Sequence, residues 1–346
     1  MKSNTIWWLL AAIMVIGAGG CGPGIEPRIA VLLPDACNTP DGMVLGADGF
    51  IYLSCPNFND PSYAPRIVRL SPDGQLVDVG ELPGHPETGK AGPLGLDFGP
   101  DGHLYVADNQ SMWGFHDHKS RLLRIRMNQG RPEGVEVLVT GFIQANAVAC
   151  HGDSVYVTES SLDLSADPMP SGVYRFRFSE FQGEPIDLTR AAAEHLVVKF
   201  HTDNPDWRIG ANGLGFDEQG NMYVCNFGEA SLLRFRFGLD GNVVSHEVVA
   251  RGQGMESTDG LKVHPRTGAV YIADYVGNAV HKVDPRTGQV TTLWKNETNS
   301  GGLGGLLDRP SEVCLRGNWI YVANIDLPGQ GNEYDAPHTL SVLPLR

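Results

Sequence analysis

Oxygen-bearing side chains recur at the starts of six similar segments of this sequence. The residues at these starts are Asp41, Leu94, Asn146, Asn212, Asp259 and Ser311. Carboxylate and carboxamide oxygens are the ligands that calcium prefers, and the set lacks the histidine and cysteine that are typical of zinc or copper sites. Two clustered carboxylates repel each other unless they share a cation or a proton. If the six starts converge in space, the two Asp and two Asn residues therefore predict a calcium site. The alternative is that these Asp-Gly and Asn-Gly pairs only form turns.

The elements that carry these residues are repeated hairpins. Each segment begins with a small or polar pair, continues as an apolar strand, turns through Gly, Asn or Asp, and returns as a second strand. A second hairpin with period-two alternation follows each of the first five. The starts lie 47 to 66 residues apart. Two hairpins per repeat predict an all-β fold, a six-bladed β-propeller with four antiparallel strands per blade. The first strand of each blade lines the central tunnel, so the six starts should form a ring.

The two ends of the chain are predicted to meet in one blade. The last repeat has only three strands, the third within residues 338–346, and an apolar strand at residues 28–34 precedes the first repeat. Pairing of this N-terminal strand with the last blade would close the ring and remove an open sheet edge. An insertion at residues 186–207 has a partly helical pattern. We therefore expect one propeller domain over residues 22–346.

Residues 1–21 have the pattern of an export signal. Lys2 is followed by an apolar run at residues 6–16 and by small residues that end at Cys21. This arrangement resembles a bacterial lipoprotein signal, in which the cysteine is lipidated and becomes the new N-terminus, although Ala18 stands where Leu is usual. Gly22 after the cysteine favours the outer membrane, with the protein facing the periplasm or the cell surface. The alternative is an ordinary cleaved signal with an incidental cysteine.

Composition limits the partners. The net charge of −14 disfavours binding to nucleic acid, because like charges repel. We expect a small-molecule substrate, a lipid anchor as the only membrane contact, and a monomer. Five further cysteines are Cys37, Cys55, Cys150, Cys225 and Cys314. The last three lie in apolar strands and read as small core residues. Cys37 and Cys55 flank the first hairpin, and whether they form a disulfide stays open.

The order of residues at the repeat starts resembles a known family. Calcium-dependent six-bladed propellers, which include gluconolactonase, regucalcin (senescence marker protein), paraoxonase and diisopropyl-fluorophosphatase, share the order acidic, none, Asn, Asn, Asp. Here Asp41 opens the first blade, Asn146 the third, Asn212-Gly213-Leu214 the fourth and Asp259-Gly260-Leu261 the fifth. The resemblance implies that these four residues bind calcium and that Asp259 also acts as general base or nucleophile.

The sequence departs from that family at several places. Asp41 replaces the more usual Glu, and Gly42 and Ala147 occupy the places of acidic residues that bind a second, structural calcium in paraoxonase-type proteins. Ser311 and Glu312 stand where diisopropyl-fluorophosphatase-like enzymes carry a histidine. A second calcium at those places and a phosphotriesterase activity are disfavoured accordingly.

The resemblance implies a calcium-dependent hydrolase of the gluconolactonase type, which opens a lactone or a related small ester at the tunnel mouth. His116 and His118, on the blade-two loop, are candidate catalytic acids or bases, since imidazole titrates near neutral pH; the alternative is two solvated loop residues. Substrate contacts are expected after the second strand of each blade, from Asp108, Asn109, Glu159, Asn226, Asp274 and Asn324.

The rival function is a non-catalytic propeller of the NHL-repeat type that binds a ligand or a protein at the cell surface. A propeller resembling strictosidine synthase is disfavoured, because that type lacks the metal ring. The fold alone does not separate these possibilities.

Overall fold

The protein forms a closed ring of six antiparallel sheets, which confirms the predicted six-bladed β-propeller. The computed structural model describes residues 26–299 and 302–345. After the first strand, β1 (Arg28–Leu32), the blades follow one another along the chain. From axis to rim, blade one contains β2 (Met43–Leu45), β3 (Ile51–Cys55), β4 (Arg66–Leu70) and β5 (Leu76–Glu81). Blade two contains β6 (Pro93–Phe98), β7 (Leu104–Asp108), β8 (Ser120–Asn128) and β9 (Arg131–Phe142), with the short β13 (Ile186–Asp187) added at its rim. Blade three contains β10 (Ala145–His151), β11 (Ser154–Glu159), β12 (Met169–Arg177) and β14 (Leu196–Thr202).

Blades four to six repeat the pattern. Blade four contains β15 (Ala211–Phe216), β16 (Met222–Asn226), β17 (Ser231–Phe237) and β18 (Val243–Arg251). Blade five contains β19 (Leu261–Val263), β20 (Val270–Asp274), β21 (Ala279–Asp284) and β22 (Gln289–Lys295). Blade six contains β23 (Pro310–Arg316), β24 (Trp319–Asn324) and β25 (Thr339–Pro344). The rim strand of blade six is β1, which pairs antiparallel with β25. The predicted closure by the N-terminal strand is thereby confirmed.

The insertion that the sequence indicates between repeats three and four begins inside blade three, between β12 and β14, and contains the one α-helix of the described residues, α1 (Leu188–His195). Its N-terminus is capped by Asp187, whose carboxylate accepts a hydrogen bond from the main-chain nitrogen of Thr189 (3.0 Å). The helical pattern is confirmed, but residues 196–202 continue as β14, so the third and fourth strands of blade three are separated by this excursion. Single-turn 3₁₀ helices lie at Asp35–Cys37, Ser111–Trp113, Phe178–Glu180 and Leu303–Gly305. No helix in residues 26–299 or 302–345 combines the length and apolarity needed to cross a membrane.

The apolar core lies between neighbouring blades. A tyrosine recurs in the second strand of every blade, at Tyr52, Tyr105, Tyr156, Tyr223, Tyr271 and Tyr321. Between blades one and two, for example, the ring of Tyr52 packs edge-on against Phe98, with the ring centres 4.9 Å apart. Its hydroxyl donates to Asp48 (2.9 Å) in the hairpin turn, so the buried ring keeps a polar partner. This packing fixes the blades around the axis and so positions the first strands.

Candidate metal centre and axial cavity

The six repeat starts converge around the axis, as the repeat predicts. A Cβ atom on Gly213 would lie 2.3 Å from the carbonyl oxygen of Asp259, and one on Gly260 would lie 2.6 Å from that of Ser311. The hydroxyl of Ser311 in turn donates to the carbonyl oxygen of Pro40 (3.3 Å), which closes the ring. The same close approach recurs from Gly42 to Leu94 and from Gly95 to Asn146.

These glycines therefore serve close contact between blades rather than turns. None of the four has a positive φ, so the left-handed conformation that favours glycine is not the reason for their presence. The alternative interpretation of the Asp-Gly and Asn-Gly pairs as turn formers does not describe their geometry.

The four predicted metal ligands line one cavity at the mouth of the tunnel. Side chains of Asp41, Asn146, Asn212 and Asp259 share a cavity of roughly 230 Å³ with Leu94. The amide of Asn212 forms a hydrogen bond with the carboxylate of Asp259. Four oxygen-bearing side chains from four blades thus meet at one end of the axis.

The carboxylates of this ring lack enough compensating positive charge. Burial, and then the negative charge of Glu312, raise the pKa of Asp41 to about 7. Burial, followed by the charges of Asp41 and Glu312, also raises the pKa of Asp259 well above its ordinary value. A divalent cation among these oxygens would remove the repulsion, so the donor set fits calcium both in chemistry and in charge.

A third carboxylate in the ring carries its own counter-ion. Glu312 directly follows the sixth repeat start, and its Oε2 lies 3.2 Å from Nζ of Lys262. Burial alone would lower the pKa of Lys262, but the neighbouring acidic groups, Glu312 foremost and Cys314 and Asp97 after it, together more than offset this, and the pKa is raised. The ammonium therefore stays charged and offsets part of the negative charge of Glu312, so Asp41 and Asp259 are the two further charges that a divalent cation would balance. Sequence reasoning did not assign either residue to the site.

The wall above the ring is apolar. The side chains that line it are Met112, Trp207, Ile209, Phe227, Tyr275, Ile325 and Leu327. The rings of Trp207, Phe227 and Tyr275 contact one another, with centres 5.5 to 6.0 Å apart. Burial raises the pKa of Tyr275 to about 12, so its phenol stays protonated at neutral pH and can donate a hydrogen bond. This wall was not predicted.

The six residues expected to contact substrate lie inside the blades, and none lines this cavity. Their side chains hold the loops in place: Asp108 is paired with Arg121 (2.6 Å), and Asp274 accepts the main-chain nitrogen of Ser257 (2.8 Å). Comparable bonds engage Asn109 with Ala145 O (2.8 Å), Glu159 with Ile143 N (2.8 Å), Asn226 with His201 O (3.0 Å) and Asn324 with Ser341 Oγ (2.8 Å).

The residue that follows three of them faces the axis instead. Phe227, Tyr275 and Ile325 come directly after Asn226, Asp274 and Asn324 and belong to the cavity wall. Successive side chains of an extended segment point to opposite sides. If one residue faces the interior of the blade, the next residue along the chain therefore faces the cavity.

The two candidate catalytic histidines are not at the cavity. Both are exposed: Nδ1 of His116 lies 2.6 Å from Oγ of Ser111, and Nδ1 of His118 lies 2.9 Å from the carbonyl oxygen of Gly141. Their loop does reach the site, but through Met112. Of the three predicted catalytic residues, only Asp259 lies in the cavity.

The cysteines have structural positions. Cys37 and Cys55 are buried free thiols in contact with each other, and burial followed by hydrogen bonding with Cys37 raises the pKa of Cys55. Cys225 and Cys314 belong to the apolar core, and Cys150 packs against it. The predicted lipidation site, Cys21, and the signal at residues 1–21 lie outside the described residues.

Comparison with known proteins identifies the fold. No family model and no curated protein matches this sequence. Among solved structures, a gluconolactonase from Xanthomonas campestris superposes with a TM-score of 0.57 at 18% identity, covering 95% of this chain and 99% of that one. A luciferin-regenerating enzyme gives 0.61 at 12% identity, with 93% and 96% covered. The PQQ-bound aldose sugar dehydrogenase from Streptomyces coelicolor gives 0.56 at 14% identity, with 92% and 97% covered.

Such different activities on one architecture mean that the fold alone does not fix the reaction. The resemblance read from the repeat starts is confirmed at the level of the fold: this chain is a six-bladed propeller, a fold that it shares with the gluconolactonase, the luciferin-regenerating enzyme and the sugar dehydrogenase.

Proposed function

We propose that this protein is a calcium-dependent hydrolase that opens a lactone or a related small ester at the axial cavity. The observation that carries the proposal is the pair of uncompensated carboxylates, Asp41 and Asp259, at the floor of a cavity with apolar walls. Asn146 and Asn212 would complete the protein ligands of the ion. Bound calcium would supply a Lewis acid that polarises the carbonyl oxygen of the substrate.

Three side chains of the cavity would contribute to hydrolysis besides the ion. Asp259 is partly exposed to the cavity, so its carboxylate can accept a proton from a water molecule beside the substrate. Asn212 holds that carboxylate by a hydrogen bond. The phenol of Tyr275 is protonated and is the polar group of the aromatic wall best suited to donate to a substrate oxygen.

The wall favours a substrate with an apolar body. A sugar lactone carries several hydroxyl groups, and each would lose its water on entering a cavity lined by Met112, Ile209, Phe227 and Leu327. An unpartnered polar group in such surroundings costs about 1–3 kcal/mol. Within the gluconolactonase-like fold, we therefore propose alkyl or aryl lactones and esters as the preferred substrates.

The test is a hydrolysis panel on the purified, metal-stripped protein. Alkyl δ-lactones, aryl esters and gluconolactone are each assayed with calcium and with chelator. We expect calcium-dependent turnover that is faster for the apolar substrates. Asp259→Asn should lower kcat about a thousandfold, whereas Asp206→Asn, an exposed carboxylate on the Trp207 loop, should change nothing.

Each alternative predicts a different result. Calcium binding without turnover of any substrate would favour the non-catalytic binding propeller. Turnover that survives Asp259→Asn would remove this residue as the catalytic carboxylate. Gluconolactone as the best substrate would leave the hydrolase intact and refute the apolar preference.

A further inference from the structure

A second group of carboxylates lies in blade six, beside the wall of the axial cavity. Asp308 precedes β23 by two residues, Asp326 follows β24 by two residues, and Asp335 lies in the loop before β25. One oxygen atom from each carboxylate lies within 4.8 Å of the other two. Asp308 and Asp326 are each only 3% exposed, whereas Asp335 is exposed.

The main chain fixes this blade-six cluster in place. The nitrogen of Asp326 donates to the carbonyl oxygen of Asp308 (3.3 Å), and the nitrogen of Asp335 donates to Oδ2 of Asp326 (3.0 Å). Asn332, from the same loop, donates through Nδ2 to Oδ1 of Asp326 (2.9 Å). The segments before β23 and after β24 therefore bring the three carboxylates and the amide of Asn332 together.

Two buried oxygen atoms at this point have no partner. Oδ1 of Asp308 and Oδ1 of Asn332 accept no hydrogen bond from the described residues, and Asn332 is 4% exposed. Buried polar atoms without partners are rare in folded proteins and costly. In Asn332 the amide nitrogen faces Asp326, so the unpartnered oxygen that belongs to the cluster itself is Oδ1 of Asp308.

The neighbouring positive charge is used elsewhere. Arg309 donates to main-chain oxygens, among them Gly329 (3.2 Å) and Gln330 (3.1 Å), and its guanidinium stacks 5.0 Å from the centre of the Tyr275 ring. Over residues 26–299 and 302–345, no ion pair joins any of the three carboxylates to Lys or Arg.

We propose that the carboxylates of Asp308, Asp326 and Asp335 bind a second calcium ion. The donor set is all oxygen, which suits calcium or another hard divalent cation rather than zinc. Three carboxylates from two segments leave room for the water molecules that complete calcium coordination.

The protonation behaviour of the cluster agrees with this assignment. Burial, followed by the charges of the neighbouring carboxylates, raises the pKa of Asp308 to about 7; burial also raises that of Asp326 to about 6. At neutral pH the negative charge of the cluster is therefore either reduced by a shared proton or balanced by a cation. Added calcium stabilises the protein through this cluster only in the second case.

The ion would stabilise the wall of the axial cavity. Asp326 lies between Ile325 and Leu327, both of which line that cavity, so a cation on Asp326 would hold this stretch of the loop. The second site is structural in this sense, and its existence does not depend on whether the axial site is catalytic.

The experiment is calorimetric titration of the metal-stripped full chain with calcium. We expect two sites in the wild type and at least a tenfold loss of affinity at one of them in Asp335→Asn. Because Asp335 is exposed, its side chain is not needed for packing. Glu333→Gln, which removes the same charge from the same loop two residues away, should titrate like the wild type. A single site in the wild type, unaffected by Asp335→Asn, would overturn the proposal.

A second measurement separates the two ions. In Asp41→Asn, which removes an axial ligand, calcium should still raise the melting temperature, because the blade-six cluster remains. In the double variant Asp41→Asn/Asp335→Asn the calcium-dependent rise should disappear. Absence of the rise from Asp41→Asn would show that the cluster is held by a shared proton and not by calcium, and an undiminished rise in the double variant would show that Asp335 is not a ligand; either result overturns the proposal.

Discussion

The carboxylate of Asp41 should make the metal-free protein less stable as the pH rises. Its folded-state pKa of about 7 lies above its ordinary value of 3.8, so the native state binds more protons than the unfolded state between these values. Stability is therefore fully present below about pH 4 and is lost as the pH rises through about 7. The penalty amounts to about 4 kcal/mol in all, of which about 3 kcal/mol falls between pH 5 and pH 8.

The substitution Asp41→Asn removes this penalty and a calcium ligand together. In chelator, the variant should be more stable than the wild type at pH 8 and should lose about 3 kcal/mol less between pH 5 and pH 8. Added calcium should shrink this difference, because only the wild type gains binding energy at the axial site: about 2.7 kcal/mol at a hundredfold excess over Kd, and about 4.1 kcal/mol at a thousandfold excess, where the two proteins should be about equally stable.

Urea unfolding at the two pH values, with and without calcium, measures these differences. The exposed Asp206→Asn serves as the control for loss of one carboxylate. The blade-six cluster contributes a similar pH dependence to both proteins, so the comparison between variant and wild type isolates the axial carboxylates, Asp41 together with its effect on Asp259. If metal-free Asp41→Asn and wild type show the same pH dependence, the uncompensated carboxylate ring does not exist, and the argument for an axial cation fails with it.

Two further expectations concern the ring and the N-terminus. Gly213→Ala should destabilise the protein by about 1–3 kcal/mol and weaken calcium binding, because the new methyl group would lie 2.3 Å from a carbonyl oxygen of the next blade. Gly183→Ala, where nothing lies within 4 Å, should be neutral in the same thermal melts. Cys21→Ser should move the protein from the membrane fraction to the soluble fraction if lipidation anchors it, and unchanged fractionation would contradict that proposal.

The positions that sequence reasoning found are those that the repeat makes equivalent. Asp41 and Asp259 stand at the same place in two repeats, and propeller geometry brings equivalent places together whatever the loops do. Glu312 and Lys262 also lie in tunnel-lining segments, one and three residues after a start. A prediction that uses only the first residue of each repeat does not include Glu312 and Lys262.

The cavity wall was missed for a different reason. Polar residues at the strand ends, such as Asn226 and Asp274, looked like ligand contacts, but their hydrogen-bonding groups satisfy buried main-chain atoms. The aromatic residues after them face the axis. Only the twist of each strand as it leaves the sheet decides which of two neighbours turns inward, and a single sequence does not contain that information. Trp207 was missed because it belongs to an irregular insertion without a counterpart in the other repeats.

The pairing of β1 with β25 has a consequence for how copies of this chain can associate. The strand Arg28–Leu32 is largely exposed and is joined to the rest of the propeller by a single row of hydrogen bonds. A chain shortened to begin after it would not be a smaller propeller but one with an unprotected edge at Thr339–Pro344. That edge would be free to pair with the N-terminal strand of another, full-length copy. Loss of the N-terminal strand would therefore convert a closed ring into a protein that binds other copies by strand exchange.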